Sequence, residues 1–104
     1  PHRKMEASPS AVIVAVAEHY KVSVDELKGA SRRREISQAR QMGMYLMRQH
    51  TALSLPKIGD EFGGKDHTTV LYSCTKVEKQ LKRDLDLAQT VRQLSDRINL
   101  AGRG

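Results

Sequence analysis

The chain of 104 residues is poor in the side chains that cross-link, stack or enter membranes. It contains one cysteine, no tryptophan and a single phenylalanine. A lone cysteine excludes an internal disulfide, and Cys74 falls on an apolar helix stripe, so we expect a reduced setting. So few aromatic rings argue against base stacking as a binding mode. No apolar run approaches the roughly 18 residues that span a bilayer, and residues 1–10 show no signal peptide.

The sequence also has few side chains at the spacing that is typical of catalytic residues or metal ligands. His67 directly follows Asp66, which is not a triad-like arrangement, and the other three histidines have no carboxylate or cysteine at metal-ligand spacing. No glycine-rich loop ending in Lys-Ser or Lys-Thr is present to cradle phosphates. We therefore predict that the chain is not an enzyme and holds neither a metal nor a cofactor.

Positive charge, in contrast, is abundant. Eighteen lysines and arginines stand against twelve aspartates and glutamates, a formal net charge of +6. A small domain this basic indicates an anionic partner, with nucleic acid the first candidate and a membrane surface the second. The length is that of one domain with a modest core.

The stretch 54–77 predicts a short helix, a two-glycine turn and a longer helix. Pro56 suits the first turn of the short helix, where its missing N–H costs nothing. Gly63 or Gly64 can adopt the left-handed conformation that ends a helix and reverses the chain. Asp66 is the predicted N-cap of the longer helix, its carboxylate accepting from first-turn amides. Two helices joined by a tight glycine turn are typical of a helix-turn-helix.

The longer helix would present a polar N-terminal end. Its apolar positions recur every three or four residues from Val70 onward, which defines one buried face. Four side chains are left exposed at its start: Asp66, His67, Thr68 and Thr69. In a helix-turn-helix this end meets base edges in the major groove, where Asp can accept from cytosine and a Thr methyl can pack on thymine. An ordinary helical hairpin with a polar cap fits the same pattern.

Residues 28–35 form a predicted basic loop. It carries Arg32, Arg33 and Arg34, and its only apolar residue is Ala30. Such a run is either a solvated cluster of charges or an arm that lies along phosphates or inserts an arginine into a narrow minor groove. The neighbouring helix-turn-helix favours the arm.

A third helix is predicted from about residue 36 to residue 51. Arg40 and Arg48 are two turns apart and lie off its apolar stripe, so they would project in similar directions, with Gln41 beside the first. These side chains either contact DNA phosphates or form a solvated face. Gly43 in mid-helix costs about 1 kcal/mol relative to alanine, which predicts close packing against another helix.

Helical periodicity covers the rest of the chain. Residues 9–20 predict a first helix, and Ser23 with Glu26 forms a capping box for a very short second one. Apolar positions from Leu85 onward predict a last amphipathic helix, ended by Gly102. The predicted fold is all-α, with five to six helices around a helix-turn-helix.

These patterns also predict the domain organisation. Residues 1–7 are read as the end of a linker. Residues 8–104 are read as one DNA-binding domain, with its basic loop at 28–35 and its helix-turn-helix at 55–83.

The run at residues 55–70, Leu-Pro-Lys-Ile-Gly-Asp-Glu-Phe-Gly-Gly-Lys-Asp-His-Thr-Thr-Val, resembles the signature of the bacterial chromosomal replication initiator family DnaA. The Ala-Arg-Gln-Met of residues 39–42 adds to this resemblance, which covers about residues 8–100. It corresponds only to that family's C-terminal, Trp-repressor-like DNA-binding domain. The resemblance implies sequence-specific binding to DnaA boxes, short TTATNCACA-like sites, which would place the initiator on a replication origin.

The resemblance also implies residue roles. Asp66, His67, Thr68 and Thr69 match the family's major-groove base readers, and Arg32 matches an arginine that enters the minor groove. The positions that match backbone contacts are Arg40, Gln41, Arg48, Leu55, Pro56 and Lys65. Lys65 stands where some relatives have arginine, so a bidentate contact would be lost there.

Partners follow from the same resemblance. They are double-stranded DNA and the rest of an initiator chain, whose absent ATPase domain would bind ATP. We expect a cytoplasmic protein of the bacterial nucleoid that acts as a monomer, because no dedicated dimerisation segment is visible. Two alternatives stay open. A repressor-type helix-turn-helix would dimerise on a palindrome. A basic protein-interaction module would bind DNA without sequence preference and be displaced by an acidic protein.

Overall fold

A computed structural model describes residues 7–103 of the chain. Within that range it contains six α-helices and no strand, which confirms the all-α prediction. The helices are α1 Pro9–Tyr20, α2 Val24–Lys28, α3 Arg34–His50, α4 Leu55–Glu61, α5 His67–Leu81 and α6 Leu85–Arg103. None of these six helices combines the length and the hydropathy that a membrane span requires.

The predicted linker, residues 1–7, falls largely outside the described residues. Ala7 is described, and it is buried with its N–H donating to the carbonyl of His50 at 3.0 Å. The folded domain therefore includes one residue that was predicted to belong to the linker.

The short helix α2 depends on its ends. The predicted capping box is confirmed, because Ser23 Oγ accepts from the Glu26 amide and Glu26 Oε1 accepts from the Ser23 amide, both at 2.9 Å. Leu27 is fully buried and anchors the helix to the core. Since isolated helices this short are unstable in water, α2 is held by its caps and its packing.

Helix α3 is the centre of the domain and packs against α1, α4 and α5. Its core side chains include Met42, Leu46 and Met47. A Cβ placed on Gly43 would lie 2.8 Å from Phe62 Cζ, at the end of α4. The predicted close packing at Gly43 is thereby confirmed, and it brings the helix-turn-helix directly onto α3.

Three predicted boundaries are wrong. Helix α3 begins at Arg34, so the basic loop shrinks from 28–35 to 29–33. Glu35 explains this early start, since a carboxylate in the first turn is favoured by the helix dipole. Helix α5 ends at Leu81 rather than 83, and α6 continues through Gly102, where one glycine costs only about 1 kcal/mol.

Candidate nucleic-acid interface

The turn between α4 and α5 closes around a single carbonyl. Gly59 O accepts from the amides of Phe62, Gly64 and Lys65 at 3.1, 3.0 and 2.9 Å. Both turn glycines are left-handed, with φ of 83° at Gly63 and 85° at Gly64. The predicted helix-turn-helix is therefore present, and its two helices are joined by a turn whose polar backbone groups are well satisfied.

Asp66 occupies the N-cap position of α5, as predicted, but its side chain caps no amide. Its carboxylate instead accepts a hydrogen bond from the Thr68 hydroxyl and lies 3.2 Å from His67 Nδ1. The hydrogen bond from Thr68 is the main reason that the pKa of the Asp66 carboxyl lies below its ordinary value. The carboxylate is thus an acceptor that organises its own neighbours while remaining exposed.

The four predicted base readers are brought together on the surface at the start of α5. Asp66, His67, Thr68 and Thr69 are all exposed. Because the Thr68 hydroxyl donates a hydrogen bond to Asp66, the Thr68 side chain offers its methyl group and its oxygen lone pairs to an incoming ligand. The tetrad therefore presents acceptors, a methyl group and an imidazole at one helix end.

The basic loop and the start of α3 carry three exposed arginines: Arg32, Arg33 and Arg34. Arg33 Nη2 lies 3.3 Å from Glu35 Oε2, with both side chains mostly exposed. Exposed pairs of this kind contribute at most about 1 kcal/mol and break readily. All three cations are therefore available to an anionic partner.

Arg40 is not where the helical periodicity of α3 predicted it. It is only 9% exposed, so the expectation that it lies on an exposed face with Arg48 is wrong. Its Nε, Nη1 and Nη2 donate to the carbonyls of Leu27, Ser31 and Glu26 at 2.9, 3.0 and 2.8 Å. Burial lowers the pKa of the guanidinium. The side chain points at α2 and the basic loop, which its own helix could not reveal.

Lys65, in the turn of the helix-turn-helix, also donates hydrogen bonds to backbone carbonyls. Its Nζ donates to the carbonyls of Gly29, Phe62 and Lys28 at 2.7, 2.9 and 3.3 Å. Burial lowers the pKa of this ammonium, and the nearby charge of Arg40 acts in the same direction. A phosphate contact by Arg40 or Lys65 stays a prediction, but the hydrogen bonds of both residues face the protein.

Of the remaining predicted backbone contacts, Arg48 is exposed at the C-terminal half of α3. Its positive charge favours the thiolate of the buried Cys74 on α5, which partly offsets the rise in the pKa of that thiol caused by burial. Gln41 is half-buried and lines a cleft with Lys76 of α5 and Asp86 of α6. Gln41 therefore lies beside the second half of α5 and not at its start.

Leu55 and Pro56 form the first turn of α4. Leu55 is half-buried against the core, while Pro56 is exposed. Ser54 is the N-cap, and its Oγ accepts from the Lys57 amide at 3.4 Å. Because Pro56 has no N–H and the Lys57 and Ile58 amides donate to Ser54, the Leu55 amide is the one left in this first turn to meet a phosphate.

Two residues of the exposed face of α5 were missed by the sequence analysis. Tyr72 is 62% exposed and Leu71 44% exposed, although both are large and partly apolar. Tyr72 follows Thr68 by four residues and so lies on the same face of the helix. That spacing was the available signal, and it extends the exposed surface of α5 by one turn beyond the tetrad.

Metal chemistry has no candidate site in the described part of the chain. Between residues 7 and 103, no three His, Cys, Asp or Glu side chains are grouped so that they could hold an ion.

Comparisons with known proteins agree on one family. The family model described as the bacterial DnaA protein helix-turn-helix matches residues 9–77. The chromosomal replication initiator protein DnaA of Nostoc punctiforme is 66% identical over 99% of this chain and 22% of its own length. That of Crocosphaera subtropica is 66% identical over 99% of this chain and 23% of its own length.

A solved structure gives the same result. The crystal structure of a DNA replication initiation factor superposes with a TM-score of 0.74 at 33% identity, covering 86% of this chain and 29% of that one. The chain thus spans less than a quarter of the length of these two curated relatives. The family model covers residues 9–77, which include the two-glycine turn and the polar tetrad. The chain therefore belongs to the bacterial DnaA helix-turn-helix family.

Proposed function

We propose that this domain binds double-stranded DNA sequence-specifically at DnaA boxes and so places a replication initiator on its origin. One observation carries the proposal: four exposed polar side chains stand at the start of the second helix of a helix-turn-helix, in a member of the DnaA family. In this motif that helix end meets base edges. DNA binding, and not catalysis, is the function that this arrangement supports.

The start of α5 would enter the major groove. The groove is about 12 Å wide and admits an α-helix of about 10–12 Å diameter. Asp66, an acceptor held ionised by its neighbours, suits the amino group of cytosine, and the Thr68 methyl suits the methyl of thymine. His67 and Thr69 add groups that can donate or accept hydrogen bonds.

Residues around α5 would contact the DNA backbone. Arg48, Gln41, Leu55 and Pro56 are the proposed backbone contacts, and the arginines 32–34 would reach the minor groove. The formal net charge of +6 supports this mode, because neutralised phosphates release condensed counterions. We propose that the domain acts as a monomer on an asymmetric site, in the bacterial cytoplasm, as one part of an initiator chain.

Selection of bound sites from a random duplex pool, at physiological salt and with this chain alone, tests the proposal. We expect enrichment of one short asymmetric sequence of the DnaA-box type. A palindrome would instead favour a dimeric repressor. A pool without enrichment, together with displacement of DNA by an acidic protein, would favour an interaction module.

Arg48→Ala is expected to weaken binding to specific and random duplexes alike. Losing one phosphate contact should flatten the slope of log affinity against log salt by about 0.9. Fluorescence anisotropy titrations across a salt series measure this slope. Arg97→Ala is the matched control, because Arg97 pairs with Glu18 at 3.6 Å between α6 and α1. An unchanged slope for Arg48→Ala would remove Arg48 from the backbone contacts.

Arg32→Ala is expected to weaken binding most where the DNA beside the site is A·T-rich. A-tracts narrow the minor groove and strengthen its negative potential, which attracts an inserted arginine. Affinities for duplexes with A·T-rich and G·C-rich flanks measure the effect. The same loss on both flanks would show that Arg32 meets phosphates and does not enter the groove.

A further inference from the structure

The backbone carbonyls at the end of α2 and in the basic loop point into the protein. Arg40 donates hydrogen bonds to three of these carbonyls, those of residues 26, 27 and 31. Lys65 donates to two more, those of residues 28 and 29. The last carbonyls of a helix have no partner within it, so they need donors from elsewhere. Here two cations from two other elements supply them. We refer to this arrangement as the carbonyl clamp.

The carbonyl clamp uses all three N–H donors of Lys65 and three of the five of Arg40. An ammonium has three N–H donors, and all three of Lys65 point at protein carbonyls. The guanidinium of Arg40 is a planar fork with five N–H groups, and three of them, one on each nitrogen, donate to carbonyls. With Arg40 only 9% exposed, the clamp holds it inside the protein.

The clamp also joins parts that are distant in sequence. Arg40 belongs to α3, and Lys65 belongs to the turn before α5. The same turn touches the end of α2 directly, because a Cβ on Gly63 would lie only 1.9 Å from the Lys28 carbonyl oxygen. The basic loop, α3 and the helix-turn-helix therefore form one unit, with the loop carbonyls turned inward and Arg32 exposed.

We propose that Arg40 and Lys65 are positioning residues, which fix the basic loop relative to α5 so that the minor-groove and major-groove readers reach one site together. In this role the hydrogen bonds of both side chains go to protein carbonyls and replace the predicted phosphate contacts. This inference rests on the proposed function, in which Arg32 enters the minor groove while the start of α5 lies in the major groove. Readers in two grooves gain affinity jointly only if their separation is set before binding.

Arg40→Lys tests the inference, because it keeps the charge but loses the planar fork. We expect about a tenfold loss of affinity for the selected site, with random-duplex binding and the salt slope unchanged. Arg97→Lys is the matched control: Arg97 pairs with Glu18 at 3.6 Å between α6 and α1 and has no part in the proposed interface, so affinity should hold. Full affinity of Arg40→Lys, with a flattened slope for Lys65→Met, would overturn the proposal.

A double-mutant cycle separates positioning from direct contact. With Arg32 already replaced by alanine, Arg40→Lys should cost less than about twofold, because the group that it positions is gone. In the Arg48→Ala background, Arg40→Lys should still cause its full loss of affinity, about tenfold. The same fold loss of affinity from Arg40→Lys in the Arg32→Ala and Arg48→Ala backgrounds would overturn the proposal. Thermal unfolding of each variant establishes that the compared proteins are folded.

Hydrogen exchange in the DNA-free protein tests the clamp without DNA. The hydrogen-bonded amides of Leu27, Gly29 and Arg33 should exchange faster in Arg40→Lys and in Lys65→Met, while those of α5 and α6 keep their rates. Unchanged exchange in the loop would refute the clamp even if the domain bound no specific site. Faster exchange together with failed site selection would instead refute the proposed function and leave the clamp supported.

Discussion

Thr68→Ala is expected to lower affinity for the selected site by about 1–3 kcal/mol, or about 5- to 150-fold. Affinity for random duplex should hardly change, because the Thr68 side chain is exposed and holds no part of the core. His67→Ala should behave in the same way. Parallel anisotropy titrations with the two duplexes measure the difference. Equal losses on both would remove these residues from base reading.

The hydrogen bond from Thr68 to Asp66 allows a sharper version of this test. Since the hydroxyl proton is used internally, the methyl group is the part of Thr68 that suits thymine. Thr68→Ser keeps the hydroxyl and removes only that methyl. This variant should therefore show most of the affinity loss that is expected for Thr68→Ala. Replacing the contacted thymine by uracil should then abolish the difference between Thr and Ser. A difference that survives in uracil-containing DNA would refute the methyl contact.

Gln80→Ala serves as the control for both substitutions. Gln80 is exposed on the same helix, thirteen residues after His67, which is about 20 Å along the axis. At that distance it should lie beyond the groove, so its removal should leave both duplexes bound as before.

Gly63→Ala is expected to have the largest effect on stability. The added methyl would lie 1.9 Å from the Lys28 carbonyl oxygen, and the residue would have to keep a φ of 83°. Left-handed backbone costs an L-residue about 1–2 kcal/mol, and displacing a backbone carbonyl adds to that. We expect a loss of about 3 kcal/mol or more in the free energy of unfolding, measured by urea denaturation.

The neighbouring glycine is a matched control. Gly64 has a nearly identical φ of 85°, but a Cβ there would meet nothing within 4 Å. Gly64→Ala should therefore show the backbone cost alone, about 1–2 kcal/mol. If the two variants lose the same stability, the close approach of the turn to α2 is not a constraint on the fold.

Much of the fold was predictable because its signals are local. Helix α1 runs over residues 9–20 as predicted, and the capping box of Ser23 and Glu26 is present. Caps and apolar spacing act over three or four residues, so they can be recognised without knowing the fold. The start of α3 was predicted about two residues late, since Arg34 and Glu35 precede Ile36, the first apolar position of the helical pattern.

The sequence by itself determined the helix-turn-helix, its two-glycine turn and the exposure of the tetrad that begins at Asp66. Each follows from one helix and its own ends. Only the tertiary structure decided the environments of Arg40 and Lys65, whose carbonyl partners lie 9 to 14 and up to 37 residues away. Helical periodicity shows which face of a helix is apolar, but it does not show which backbone groups of another segment will need donors there. Those depend on how α2 and the basic loop pack against α3.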